Sequence, residues 1–122
     1  MDIQSYWQAV LQQNRNEIRE FFHADAHIKW HNTNECFSVE EFIRANCEYP
    51  GKWDGTIERV EIIGNLVITI SKVYSTDKPL SFHVVSFIEI REGRIVSVDE
   101  YWGDNGQVPQ WRLDKKIGRP IV

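Results

Sequence analysis

The segment Val98–Asp104, VDEYWGD, sets two carboxylates side by side and two large aromatics directly after them. A carboxylic acid acts as a general acid or base near neutral pH only when burial or a neighbouring charge moves its pKa toward that range. Asp99 and Glu100 cannot share one environment on an extended strand, because adjacent side chains point to opposite faces. At most one of the two therefore enters an apolar interior, and the choice between them decides where any acid–base chemistry sits.

Other residue types in the chain also carry metal-binding or nucleophilic chemistry. His27, His31, Cys36 and Cys47 are close in sequence. His27 and His31 stand four apart, a zinc spacing on a helix, but they fall in an alternating stretch that reads as strand. Four strand residues span roughly 13 Å, whereas two ligands of one zinc lie each about 2.1 Å from it. No metal site is expected. Cys47 neighbours Glu48, which opposes thiolate formation, so it reads as a buried helical thiol. The chain has no glycine-rich phosphate loop, GxSxG elbow or dinucleotide fingerprint, and no cofactor is expected.

Composition narrows the partners. The chain has 122 residues, a length that suits one domain, 1–122, and a substantial core. Its formal net charge is −4, which argues against the phosphate backbone of nucleic acid as a partner. One basic cluster, Arg112, Lys115, Lys116 and Arg119, is interrupted by Asp114 and reads as a solvated tail. The start, MDIQSYWQAV, has neither the basic nor the apolar stretch of an export signal, and no segment suits a membrane span. A cytoplasmic location with free thiols at Cys36 and Cys47 is the expectation. Five Trp, six Phe and four Tyr are a heavy aromatic load, of the kind that lines cores and ligand cavities.

The elements that must position these residues follow from periodicity. Ile3, Tyr6, Trp7, Val10 and Leu11 recur at helical spacing, and Ile18, Phe21 and Phe22 resume it after QQNRN. This predicts two helices, or one bent helix, ending near His23. AHIKWH, Ala26–His31, alternates as a short strand. Ser38 with Glu41 matches a capping box and opens a third helix, stopped by Pro50-Gly51. Four strands follow, Thr56–Ile63, Leu66–Ser75, Leu80–Arg91 and Arg94–Trp102, joined by the tight hairpin signals Gly64-Asn65 and Glu92-Gly93 and the longer STDKP, Ser75–Pro79. Short connections require antiparallel neighbours, so the class is α+β with a four-stranded meander. The tail, about 103–122, reads as irregular, with Trp111 expected to pack down. In the third meander strand, Phe82, Val84, Ser86, Ile88 and Ile90 share one face and His83, Val85 and Phe87 the other. Apolar residues on both faces predict helices on one and a second copy of the chain on the other, giving a homodimer.

Helices, a short strand, a helix and a meander ending GRIVSVDEYWGD resemble the nuclear transport factor 2-like superfamily, and within it the SnoaL-like branch that includes small polyketide cyclases. The resemblance rests on FFHADAHIKWH, Phe21–His31, and SFIEIREGRIVSVDEYWGD, Ser86–Asp104. It implies a cystatin-like cone: a curved antiparallel sheet, made of the meander plus the short N-terminal strand, wrapped around three N-terminal helices with an internal pocket. Compared with the ketosteroid isomerases of that superfamily, Tyr6 falls at their oxyanion-binding tyrosine. Trp30 falls at their proton-abstracting aspartate and Ser86 at their protonated aspartate. Losing the base removes a proton transfer that contributes roughly 10²–10⁴-fold, so isomerisation by that route is not expected.

The same comparison sets Val98, Glu100 and Trp102 on the concave, pocket face, and Ile95, Ser97, Asp99 and Tyr101 on the convex face. Glu100, Tyr6 and Ser86 are then the candidate catalytic residues. Trp30, Asn46, Val84 and Val98 are candidate ligand contacts, with Trp102, Trp111 and Arg112. Glu100 has three readings: an acid–base group, a ligand contact, or the structural ion-pair partner of Arg112 or Arg44. The expected function is cofactor-independent isomerisation, cyclisation or dehydration of an apolar or aromatic carbonyl or hydroxyl compound. The alternative is a non-catalytic ligand-binding or dimerisation module. His83, Val85, Phe87, Asp99 and Tyr101 mark the expected dimer face.

Overall fold

Three polar side chains start the helical layer in the computed structural model, which describes residues 1–122. Asp2 accepts from the amides of Gln4 and Ser5 to open α1 (Ile3–Leu11). Asn14 caps α2 (Arg15–Glu20), and Ser38 caps α3 (Val39–Cys47). At α3 the capping box is complete: Glu41 N donates to Ser38 Oγ at 3.2 Å, and Ser38 N donates to Glu41 Oε1 at 2.9 Å. Such caps satisfy amides that the helix itself leaves unpaired.

Six strands form one curved, open sheet beside these helices: β1 (Phe22–Trp30), β2 (Glu35–Phe37), β3 (Trp53–Ile63), β4 (Leu66–Ser75), β5 (Ser81–Arg91) and β6 (Arg94–Asp104). Their order is β2-β1-β6-β5-β4-β3. The meander β3–β6 is antiparallel throughout, as its short turns require. The N-terminal strand departs from expectation. It starts at Phe22, not Ala26, takes an irregular step between Phe22 and His27, and pairs with β6 in parallel, so the sheet is mixed. A 3-10 turn, His31–Thr33, then returns the chain as the short antiparallel strand β2.

Strand register arranges the concave face in rows. Val67, Ile88, Val98 and Ile28 lie in one row across β4, β5, β6 and β1, each 9% exposed or less. The helices supply Tyr6, Trp7, Ala9, Ile18, Phe42 and Ile43 against it. Burying side chains of this size stabilises the fold by about 1.5–3 kcal/mol each. One parity assignment is corrected. Ile95, expected on the convex face, is fully buried. Glu89 pairs with Ser97 while Ile90 pairs with Ile95, so Val96 is an extra residue that reverses the alternation.

The tail also differs from expectation. It carries a short helix, α4 (Gln110–Asp114), and Trp111 is 57% exposed. Hydrogen bonds from residues 112–117 are all local, and the Arg112 guanidinium sits 5.6 Å from the Trp111 ring centroid. Without a buried partner for its ring, Trp111 is stabilised by its own neighbour and does not pack down on the core. No helix is long and apolar enough to cross a membrane.

Candidate functional site

A polar row runs across the concave face one step along from the apolar one. Thr69 on β4 is opposite Ser86 on β5, Ser86 is opposite Glu100 on β6, and Glu100 is opposite Trp30 on β1. Glu100 is 3% exposed, and both its oxygens are held. Trp30 Nε1 donates to Oε1 at 3.0 Å and Ser86 Oγ donates to Oε2 at 2.6 Å. Burial pushes the Glu100 carboxyl above the usual carboxylate range, and the N–H and O–H groups of Ser86, Trp30 and Trp102 around it pull it back part of the way. Trp102 Nε1 is buried with no acceptor in hydrogen-bond geometry, yet it lies close enough to favour the charged form. No cation reaches this carboxylate. Arg44 pairs with Glu48 at 2.7 Å, and Arg112 stacks on Trp111.

Tyr6 is buried on α1 among Trp7, Phe21 and Phe22, all edge to face with it. Burial raises its phenol well above the ordinary value and the charge of Glu100 adds to the rise, so the group stays neutral. Asp99 takes the opposite face, where its Oδ1 lies 2.7 Å from His31 Nε2. The His31 ring stacks on Tyr101 at 4.4 Å.

Above the Trp30–Glu100–Trp102 group opens a pocket of 320 Å³. Trp7, Val10 and Leu11 of α1 form one wall and Ala45 and Asn46 of α3 the other. The sheet contributes Trp30, Trp53, Val73, Phe82, Trp102 and Asp104. Asn32 fixes the rim: its carboxamide accepts from Trp102 N at 2.6 Å and donates to Trp102 O at 2.5 Å. Gln13, held at a positive φ of 54°, donates to the carbonyls of Asn46 and Tyr49 at 2.8 and 2.9 Å and ties the end of α1 to the end of α3. A second cavity of 280 Å³ lies between α1 and β3–β4, lined by Gln4, Gln8, Ser71 and Lys72 among others. It is the more polar of the two and has no contact with Glu100.

The structure thus brings Trp30, Asn46 and Trp102 to the pocket wall. It places Tyr6, Ser86 and Glu100 together in the layer below, with Val84 and Val98 in the core. Trp111 and Arg112 stand outside, on α4. Sequence reasoning missed Gln13, Asn32, Tyr49, Trp53 and Asp104. Trp53 had a usable signal, an aromatic at the start of a strand. Asn32 and Gln13 act through backbone clamps between segments distant in sequence, which leave no pattern.

A family model for the SnoaL-like domain matches residues 3–98. The chain belongs to the SnoaL-like domain family. No curated protein matches it. Solved structures similar to this SnoaL-like domain include an NTF-2-like protein of unknown function from Burkholderia xenovorans LB400, at TM-score 0.78 and 22% identity, covering 98% of this chain and 92% of that one. A protein from Kribbella flavida DSM 17836 named for a ketosteroid isomerase is similar at TM-score 0.79 and 20% identity, covering 98% and 87%. A Shewanella denitrificans OS-217 protein named for a SnoaL-like polyketide cyclase is similar at TM-score 0.70 and 14% identity, covering 83% and 87%. At these identities the likeness establishes the cone fold of this SnoaL-like domain, not its reaction.

Proposed function

We propose that this SnoaL-like domain binds a small molecule with an apolar or aromatic body in the pocket between α1, α3 and the sheet. The observation that carries this is the 320 Å³ pocket, in which ten of fifteen lining residues are hydrophobic. Such a volume and lining fall within the usual range of ligand sites, about 300–1,000 Å³. Glu100 acts here as a positioning residue. It fixes the Trp30 indole from below and so shapes the floor. A thermal-shift screen of small aromatic and alicyclic carbonyl and hydroxyl compounds tests the reading. Compounds should raise the melting temperature of the native chain and not that of Ala45→Trp, whose indole fills the pocket. Shifts that survive in Ala45→Trp would place binding elsewhere.

A second reading, acid–base turnover by Glu100 in an isomerisation, cyclisation or dehydration, is favoured by the raised pKa of that buried carboxyl. Glu100→Gln separates the two. Binding kept with turnover lost supports chemistry, whereas a ligand that emerges unaltered from the native protein supports binding alone.

The convex face is proposed to pair with a second copy of the chain. Val85, Phe87 and Tyr101 are apolar or aromatic and remain partly exposed there. Phe87→Glu should then lower the sedimentation coefficient to that of a monomer without altering ligand-induced shifts.

A further inference from the structure

The pocket's hydrogen-bond donors are largely committed to the protein. Gln13 spends its amide group on two carbonyls, Asn46 Nδ2 donates to Val10 O at 3.0 Å, and Asn32 grips the backbone of Trp102. Thr33 Oγ1 donates to Glu35. Three of the four indoles are likewise turned away. Trp7 Nε1 donates to Thr69 Oγ1 at 3.2 Å, Trp30 Nε1 donates to Glu100, and Trp102 Nε1 is buried beside the same carboxylate. What these side chains leave for a ligand is acceptors and ring surface. The carbonyl oxygens of Gln13 and Asn46 must be the free ends, because their NH₂ groups face backbone carbonyls.

The rings form a continuous arc. Tyr49 meets Trp53 at 5.4 Å, Trp53 meets Phe82 at 6.0 Å, Phe82 meets Trp102 at 6.0 Å, and Trp102 meets Trp30 at 6.3 Å. Aromatic faces carry the negative side of the ring quadrupole and attract a cation within about 6 Å of the centroid. No Lys, Arg or His lines the pocket, and Asp104 is its one carboxylate. Asp104 takes part in none of the chain's ion pairs. A second carboxylate, Glu100, lies under the floor without a counter-cation.

We infer that the ligand of this pocket is a small organic cation, an alkylammonium group seated on the Tyr49–Trp53–Phe82–Trp102 arc with Asp104 as its counter-charge. The inference rests on the ligand-binding reading above and adds the charge of the ligand to it. An anion would meet carboxylate and ring faces with no basic group to offset them. A neutral apolar body would gain the same contact area but nothing from Asp104.

The test is an NMR titration of the native chain at neutral pH and fixed ionic strength, following the tryptophan indole and Asn/Gln side-chain signals. The probes are choline, its neutral isostere with carbon in place of the quaternary nitrogen, and the matching tert-butyl carboxylate. Choline should bind about tenfold more tightly than the neutral isostere, with the carboxylate weakest. Asp104→Asn should weaken choline about threefold and leave the neutral isostere unchanged. Phe82→Leu, which keeps an apolar wall but removes a ring face, should act in the same direction. A neutral isostere that binds as tightly as choline, or a choline affinity indifferent to Asp104→Asn, overturns the cation and leaves the pocket reading standing. If none of the three probes moves the Trp30, Trp53 or Trp102 signals, the cation is likewise overturned, and the pocket reading falls with it only if the thermal-shift screen is also blank.

Discussion

The two faces of β5 and β6 are built from alternate residues of the same strands, yet they solve the placement of polar groups in opposite ways. On the concave side Ser86 and Glu100 are sealed, and Glu100 relies on donors supplied by Ser86 and Trp30. On the convex side Asp99 and His31 keep 35% and 39% of their side-chain surface in solvent, so water can replace either partner. A buried group that loses its partner bears its full desolvation cost, while an exposed one rehydrates. Adjacent carboxylates should therefore differ sharply in what they contribute. Replacing Glu100 by Ala strands two buried donors and opens a cavity, and should destabilise the fold by about 3 kcal/mol in urea unfolding. Asp99→Ala should cost less than about 1 kcal/mol, as for other polar pairs that solvent reaches. Equal costs at the two positions would dissolve the contrast.

Much of this architecture is legible in the residues. The meander turns, the Ser38–Glu41 capping box and the alternation through Val98–Trp102 are short-range features, and each describes what its own neighbours will do. Glu100 faces inward because parity carries outward from Val98. Parity fails where an extra residue enters: Val96 turns Ile95 to the core, and nothing in RIVSV marks it. The pocket was harder to read than the carboxylate beneath it. Its rim depends on Asn32 reaching Trp102 and on Gln13 reaching Asn46 and Tyr49, contacts across 33 or more positions. The exposure of Trp111 was hidden for another reason. An aromatic in a tail reads as an anchor, and here its partner is Arg112 on the same helix.

A smaller substitution probes the apolar part of the same contrast. Ile88 is fully buried on the concave side, whereas Ile68, opposite Phe87 on the convex side, is partly exposed. Ile88→Val removes one methylene from a packed interior and should cost about 1 kcal/mol. Ile68→Val should cost about 0.5 kcal/mol or less when the chain is dilute. Its cost should grow with protein concentration if a second copy covers that face, because truncation then weakens association as well as folding. Unfolding curves at two concentrations check this. A concentration-independent cost at Ile68 would argue against the proposed pairing.

The smallest expected effect is the pH dependence, because the donors around Glu100 offset part of what burial does to it. A carboxyl whose pKa is higher in the folded than in the unfolded chain binds its proton more tightly when folded. As pH rises from the ordinary carboxylate range to the folded value, only the unfolded chain has released the proton, so stability falls. Above the folded value the loss is complete and constant. Glu40, Glu41, Glu48, Asp2 and Asp77 act in the reverse sense, since hydrogen bonds hold their pKa values low and their stabilisation is lost in acid. The native curve mixes both signs, and Glu100→Gln isolates one of them. The amide carries a fixed cost where its NH₂ meets a donor, but that cost does not titrate. The native melting temperature minus that of Glu100→Gln should therefore decline as pH rises from the ordinary carboxylate range and then level off. A difference for Glu100→Gln that is flat would mean that the donors balance burial, and one that rises with pH would mean that they outweigh it.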